Sequence, residues 1–596
     1  MKTFKKLIFL LNSHEKKHAV FLLIMSIIMA LLDMIGVASI LPFITILTNS
    51  SLIETNFILN TMFKASSIFG VQNNQQFIFI LGFIFFFILI ISQLFKAFTT
   101  YLQFKFILML EHSISKRLVE TYLYQPYSWF LNRNSADLGK TILSEVNNVV
   151  GNGIGKLMEV ITKGAVIIAI LILLIIVDLK LTLILGFTLS VIYFLIYYGF
   201  KGYLNEIGEK SLKNNQYRFT AISEAFGAAK EIKVGALEQT YIKSFSSSSE
   251  YFSRFNAFSL MISSLPRFFL EIIAFGGVIL VMLYIIAKSN SFINALPVIS
   301  LYVFAGYRLM PAAQGIFASC TQLTFVSPSL DKLYDDIKKL KVYNENQDQT
   351  AMSFNKAINL KNIHFSYLDR SRTTLKDVTL NIPANSTVGF VGATGSGKTT
   401  TADIILGLLK PQKGTFEVDG KIITEQNSRS WQRCIGYVPQ HIYLSDDTIT
   451  ANIAFGVASK DINQENVEKV SKIANLHEFV VNELPKKYQT LIGERGIRLS
   501  GGQRQRIGIA RSLYHNPQLI IFDEATSALD NVTEKKVMDA INNLKKNVTI
   551  IIIAHRLNTV KNCDIIYIFD KGEVKSKGTF DQLINIHEIF RMNAGN

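Results

Sequence analysis

The chain has 596 residues, 18% of them charged, and a net charge of +16, with a mean hydropathy of +0.28. Its length is several domains' worth, and its 3 cysteines (Cys320, Cys434 and Cys563) have neither paired nor metal-ligand spacing, which argues against a disulfide framework or a zinc site. The positive charge does not point to nucleic acid, because the lysines and arginines are scattered and gather beside long apolar runs, as they do in the cytoplasmic loops of membrane proteins.

The N-terminus, MKTFKKLIFLLNSHEKKH, has a short apolar patch but no small-residue cleavage site, so it reads as a basic interfacial segment and not as a signal peptide. Six spans follow by length and apolarity: His18–Leu47, Phe77–Thr100, Leu157–Val177, Leu181–Phe200, Phe268–Ala287 and Ala295–Cys320. Between the first two, Ser51–Gln76 carries Phe57, Ile58, Met62, Phe63 and Phe69, which fit either a short amphipathic helix on the outer surface or an ordinary connection with a helical turn. The connection between spans two and three and that between four and five are rich in Lys and Arg. The opposite connections carry only Lys64, Lys180 and Lys288, which places the N-terminus and both long loops in the cytoplasm.

Those two long connections keep helical spacing of apolar residues, and structureless loops of that size are rare. The membrane helices are therefore expected to continue into the cytoplasm, where a helix of about 50 residues reaches ~75 Å. Each long pair must turn, the first at Gln125 to Gly139 and the second at Phe226 to Gly235, and such turns are natural contact points for a cytoplasmic partner. Asp178-Leu179-Lys180 joins spans three and four as a tight turn.

Ionisable residues inside spans are costly and usually face a cavity. Arg308 sits beside Pro311 in the sixth span, Lys96 in QLFKAF, Arg267 and Glu271 in LPRFFLE, and Asp33 in the first span. Arg267 and Glu271 are one helical turn apart and either pair or serve a ligand. Lys96 either snorkels to the interface or joins the cavity. Arg308 either pairs with Asp33 across helices or meets an anionic cargo, for which its forked guanidinium is well shaped.

After Cys320 a polar-faced helix runs to about Leu340. The sequence thus divides into a membrane domain at 1–340, a linker at 341–352 and a soluble α/β domain at 353–596. In that last domain GATGSGKT, Gly392 to Thr399, follows an apolar strand and opens a helix. The glycines let backbone N–H groups point at phosphate oxygens, and the helix N-terminus adds positive potential. Gly392, Thr394, Gly395, Ser396, Gly397, Lys398, Thr399 and Thr400 form the expected nucleotide cradle, with Lys398 on the β/γ-phosphates and Thr399 on Mg²⁺. LIIFDE ends in Asp523, suited to Mg²⁺, and Glu524, suited to polarise an attacking water.

With LSGGQ, Leu499 to Gln503, these motifs resemble the ATP-binding-cassette (ABC) ATPases over the whole soluble domain. That resemblance implies ATP hydrolysis with Mg²⁺, adenine stacking by Tyr367, Mg²⁺ contact by Gln440, partner sensing by Glu494, a subunit-crossing Asp530 and a γ-phosphate contact from His555. It also implies that Ser500, Gly501, Gly502 and Gln503 complete the site of a second copy, so that two chains, most simply identical, form two sites.

Six spans with long cytoplasmic extensions and one cassette resemble an exporter-type half-transporter: an all-α six-helix transmembrane domain of the type I/IV ABC exporter fold, followed by an α/β P-loop ATPase domain. LLDMIGVASILPFI, YRLMP and SPSLDKLYDDI are similar to bacterial lipid-linked oligosaccharide flippases of the PglK type. This implies a polyprenyl-pyrophosphate-linked glycan moved across the bacterial cytoplasmic membrane, with Lys96, Arg267 and Arg308 as candidate contacts for the pyrophosphate. Export of amphipathic drugs, peptides or other lipids on the same scaffold is the alternative.

Overall fold

The computed structural model describes residues 2–48, 60–61, 63–64, 73–288, 296–340, 352–367, 373–493, 496–524, 532–537, 548–554 and 557–586. The chain divides into two compact units, Met1–Gln125 with Asn132–Val342, and Pro126–Leu131 with Tyr343–Asn596.

The first unit is helical. A short basic helix α1 (Lys2–Phe9) precedes α2 (Ser13–Ala38) and α3 (Ile40–Thr48), which occupy the expected first span. Helix α4 (Asn74–Leu123) continues 50 residues without interruption. Its outward face is a row of phenylalanines, Phe79, Phe83, Phe86 and Phe87, which suits hydrocarbon and not water. The chain then turns at Pro126, whose extended conformation starts the four-residue helix α5 (Tyr127–Phe130). Two further turns follow as α6 (Ser135–Lys140).

From there to α7 (Lys156–Val177) the helix widens into π-turns at Thr141–Glu145 and Val150–Gly155. The second π-turn is the stretch VGNGIG, where the absent side chains admit Leu7 and Ile107 to within 3.1 Å of the positions that Cβ atoms would take on Gly153 and Gly155. Asp178, in extended conformation, makes the tight turn into α8 (Leu179–Gly227). Tyr302 fastens this turn by donating to the Asp178 carbonyl at 3.3 Å and pairing with the Thr182 hydroxyl at 3.1 Å. The second cytoplasmic turn is α9 (Ala229–Gly235), closed by Ala236 in the left-handed region.

Helices α10 (Glu238–Lys288) and α11 (Leu296–Lys339) contain the expected fifth and sixth spans, apart from Ala295, which lies outside the described residues. Helix α11 runs unbroken through Pro311 and Pro328, as α10 does through Pro266. Among the described residues, the stretches starting at Ser13, Asn74, Ser135 and Thr182 are each long and apolar enough to cross a membrane by length and composition. The expected outer segment is described only at 60–61, 63–64 and 73–76. There the Phe63 ring meets Phe77 edge-on at 5.3 Å.

Helix α7 packs against α2 and α11, and α8 against α10 and α11. Apolar residues fill the first contact: Met29, Ala30 and Val37 against Val166, Ile170, Leu174, Leu301 and Ala305. Polar side chains stitch the seams. The Gln103 amide reaches Ser26 at 3.1 Å and Thr162 at 3.2 Å, and the Gln322 amide reaches Ser259 and Ser263 at 3.2 Å each. Packed between helices such groups have little water to bond, so they find one another. Helices α8 and α11 come closest at Gly208, where any Cβ would collide with the Phe325 carbonyl oxygen.

The second unit holds two sheets. One is antiparallel, in the order β2 (Leu375–Pro383), β1 (Ala357–Phe365), β4 (Lys413–Val418), β5 (Lys421–Ile422). The other contains β3 (Thr387–Gly392), β6 (Ile435–Val438), β7 (Leu519–Asp523), β8 (Thr549–Ile553), β9 (Ile565–Asp570) and β10 (Glu573–Gly578), in the order β10-β9-β3-β8-β7-β6. All its pairings are parallel except that of β10 with β9. Every residue of β7 and β8 is buried, which explains why LIIFD and TIIII read as continuous apolar runs without alternation. Helix α12 (Lys398–Ile405) follows β3 and packs over Trp431, whose indole donates to the Ile405 carbonyl at 2.7 Å.

Gly208→Ala is expected to lower the thermal unfolding midpoint of the detergent-purified protein, with overpacking of about 1–3 kcal/mol at the α8–α11 contact. Gly199→Ala, on the same helix but facing open space, is expected to leave the midpoint unchanged or raise it slightly.

Candidate functional site

The phosphate loop is built at the carboxyl end of β3. Gly392 lies so close to the Phe569 carbonyl that a side chain has no room, and Gly397, at φ +107°, would drive a Cβ to within 2.6 Å of the Leu375 side chain. Lys398 opens α12 and is buried, its ammonium folded back onto the carbonyls of Gly392 at 2.7 Å and Ala393 at 3.0 Å. Burial pulls the Lys398 ammonium below its usual range, against the upward pull of Glu524 and Asp523. The Ser396 hydroxyl is buried without a hydrogen-bond partner among the described residues. An unsatisfied donor, an ammonium resting on carbonyls and a helix N-terminus together fit an oxyanion such as a nucleotide phosphate. Tyr367 lies against this helix, its hydroxyl 3.2 Å from Thr400 Oγ1 and its ring edge-on to Phe365 at 5.0 Å.

Strand β7 delivers Asp523 and Glu524 to the same end of the sheet. Glu524 adopts φ +52°, a conformation that costs a non-glycine residue energy and that clusters at functional sites. Its carboxylate accepts from the Gln440 amide at 2.8 Å. Asp523 accepts from the Tyr437 hydroxyl at 3.4 Å, and burial holds that phenol well above its ordinary range, so it remains a donor. Strands β6 and β7 pair in parallel with Tyr437 opposite Ile521, which puts the phenol one strand away from the carboxylate. Tyr437 was not singled out in the sequence, because only strand pairing reveals its partner. Thr399 and Thr394 are exposed at the loop. Glu494, Asp530 and His555 lie outside the described residues.

LSGGQ has a local role that its spacing also encodes. Ser500 is the N-cap of α13 (Gly501–Leu513). Its hydroxyl accepts from the Gln503 amide N–H at 3.2 Å, and the Gln503 side chain accepts from the Ser500 N–H at 2.8 Å. This reciprocal box satisfies two helix-end donors and fixes the two glycines between them.

In the membrane unit, Asp33 of α2 is 2% exposed and lies among three side chains from other helices. Arg308 Nη1 of α11 is 3.6 Å from Oδ1, Lys96 Nζ of α4 is 3.8 Å from Oδ2, and the Ser92 hydroxyl donates to Oδ1 at 3.3 Å. Of the two open readings, the geometry puts Arg308 beside Asp33; it is also 22% exposed, so part of it faces outward from the pair. Arg267 Nε donates to Glu271 at 2.9 Å one turn away. A further cluster escaped notice because its ion pairs lie along one helix: Glu159 pairs with Lys156 and Lys163 and accepts from Ser319. Lys163 crosses Gly315 of α11, where a Cβ would occupy its place.

Asp403, on α12, is lifted to about 7 by burial and then by the negative charge of Asp523. The second unit also contains α5, and the Tyr127 hydroxyl is pushed up by burial and by Asp403.

Two families match the chain: the ABC transporter transmembrane region over residues 19–311 and the ABC transporter over 375–527. An ATP-dependent lipid A-core flippase of Saccharophagus degradans is 29% identical over 490 residues, 80% of each chain. One from Idiomarina loihiensis is 41% identical over 223 residues, 37% of this chain and 38% of its own. A bacterial Atm1-family ABC exporter, solved with ATP bound, superposes with a TM-score of 0.80 over 98% of this chain and 99% of its own, at 20% identity.

Glu524→Gln is expected to cut ATP turnover by about a hundredfold or more while ATP binding persists, measured as phosphate release against nucleotide binding. Asp403→Asn tests the raised carboxyl. A folded-state value of about 7 against an ordinary 3.8 means that stability is lost as pH rises through 7. The variant is therefore expected to unfold at higher temperature than the parent at pH 8, with a smaller gain at pH 5.5, both in EDTA. The chain's 2 tryptophans, Trp129 and Trp431, both belong to the second unit and report its unfolding.

Proposed function

We propose, for a chain that belongs to the ABC transporters through both of its halves, the work of a flippase for a lipid-linked glycan with a pyrophosphate headgroup. The chain is a multi-pass ABC exporter that couples ATP hydrolysis to transport. Glu524 is the proposed general base, held by Gln440 until nucleotide arrives. Lys398 is the proposed phosphate ligand, exchanging the carbonyls of Gly392 and Ala393 for phosphate oxygens. His555 is proposed to contact the γ-phosphate and Tyr367 the adenine.

Thr399, Gln440 and Asp523 offer the hard oxygen ligands that suit Mg²⁺, which would offset charge on the phosphates. Tyr437 steadies one of those ligands. Because one chain has one phosphate loop and one LSGGQ box, a second copy is proposed to complete each site, with Ser500 to Gln503 and Asp530 serving across the seam. The cassette is proposed to face the cytoplasm from the bacterial cytoplasmic membrane.

The cargo reading rests most directly on Arg308 and Lys96. They lie in apolar spans around a single carboxylate, at distances longer than a hydrogen bond, so their donors are not spent on it. Arg267 is engaged by Glu271, and its role as a cargo ligand requires that bond to open. Asp33 and Arg308 belong to LLDMIGVASILPFI and YRLMP, two of the segments similar to lipid-linked oligosaccharide flippases. A second reading, a lipid A-core type of cargo, is favoured by the relatives of that name that match most of the chain.

Reconstitution in liposomes decides between them. ATP-dependent movement of a polyprenyl-pyrophosphate-linked glycan, and not of lipid A-core or a panel of drugs and peptides, is the expected result. Movement of lipid A-core alone replaces the cargo, and movement of drugs alone overturns the anionic reading. Arg308→Ala is expected to lower glycolipid transport roughly tenfold or more, the cost of a charge-assisted hydrogen bond, with basal ATPase kept.

A further inference from the structure

We propose that Asp33 is an internal stand-in for the cargo's headgroup: a fixed carboxylate that holds Arg308 and Lys96 when the cavity is empty and sets how strong an anion must be to take them. This rests on the anionic-cargo reading above and assigns a role to a residue outside the cargo contacts.

A carboxylate buried in a membrane span is expensive unless it is matched, and so are the two cations. A tight structural bridge would bring Arg308 to about 2.7–2.9 Å, often through two parallel hydrogen bonds. Here both cations stand off, at 3.6 and 3.8 Å, and the only hydrogen bond to Asp33 among the described residues comes from Ser92. Ser92 and Lys96 are one turn apart on α4, so the same helix face that anchors the carboxylate also presents a cation to it. Asp33 is thus pinned, whereas Arg308 and Lys96, 22% and 41% exposed, keep donors for another acceptor.

The cluster has one net positive charge per chain. A singly charged carboxylate lipid gains little by displacing Asp33, since it offers the same group. A pyrophosphate offers more charge and more acceptor oxygens, so it wins the cations. When it leaves, Asp33 recaptures them, and release does not strand two bare charges in hydrocarbon. Asp33 is a positioning and selectivity residue in this scheme, and it need never touch the cargo.

The test uses full-length protein in nanodiscs and three probes: undecaprenyl pyrophosphate, undecaprenol and oleate. The parent is expected to prefer the pyrophosphate and to ignore oleate. Asp33→Asn is expected to bind the pyrophosphate roughly three- to tenfold tighter, to gain oleate binding and to release more slowly, so that transport falls although affinity rises. Asp33→Glu is expected to restore the parental selectivity. Should Asp33→Asn fail to fold, Ser92→Ala serves: without its anchor the carboxylate closes on Arg308, and pyrophosphate affinity falls about two- to threefold, the loss of one modest hydrogen bond. Unchanged or weaker pyrophosphate binding in a folded Asp33→Asn, or unchanged binding in Ser92→Ala, overturns this role while leaving the cargo reading intact. A parent that binds undecaprenol as well as the pyrophosphate overturns both.

Discussion

Hydrocarbon offers no hydrogen bonds, and the membrane unit is arranged around that fact. A helix pairs nearly all of its backbone within itself, which suits unbroken helices of 50, 49, 51 and 44 residues; Pro266, Pro311 and Pro328 each remove one bond from that ladder without ending the helix. Polar side chains inside the spans and just beyond their ends are gathered into buried seams: Gln103 with Ser26 and Thr162, Gln322 with Ser259 and Ser263, Tyr302 with Thr182. The charges obey the same constraint more strictly. Glu159 is bracketed by Lys156 and Lys163, Arg267 is met by Glu271, and Asp33 draws two cations from two other helices.

The ATPase unit solves the opposite problem, since it must keep charged groups ready for a ligand that comes and goes. Its buried strands β7 and β8 form a rigid floor, and the reactive groups stand at one end of it in provisional contacts. Lys398 rests on two loop carbonyls, Glu524 on Gln440, and Asp523 on Tyr437. In the proposed roles, each of these bonds would be exchanged for a contact around the nucleotide without unfolding anything. LSGGQ follows the same economy: Ser500 and Gln503 cap their own helix, and the cap fixes the two half-buried glycines between them.

Local chemistry was legible in the sequence and tertiary partnership was not. GATGSGKT declared its loop because strand, glycines and helix are contiguous, and the phosphate cradle follows from that order. Arg267 and Glu271 offered pairing as one of two readings because one helical turn separates them. Asp33 and Arg308 sit on helices far apart in the chain, so the sequence left two readings open until the helices were packed. Tyr437 stayed silent because its partner lies on the adjacent strand, and the capping role of Ser500 and Gln503 was masked by their stronger resemblance to a nucleotide motif. The lysine of the third span, Lys163, was passed over for a different reason: it pairs with Glu159 on the same helix, and its seat depends on Gly315 of another.

On the proposed cargo reading, pairing also changes what the membrane domain can select. Three unpaired cations per chain would attract any anion, and a dimer would double the problem. With Arg267 met by Glu271 and Asp33 set between Lys96 and Arg308, one net charge per chain remains. Under the proposed anionic cargo, binding would be an exchange of one anion for another, and its free energy a difference between two similar attractions. A difference of that kind discriminates among headgroups by charge and acceptor count, where a bare cation would discriminate hardly at all. It also keeps the bound state shallow enough to be emptied by the ATP cycle, which a transporter needs more than it needs affinity.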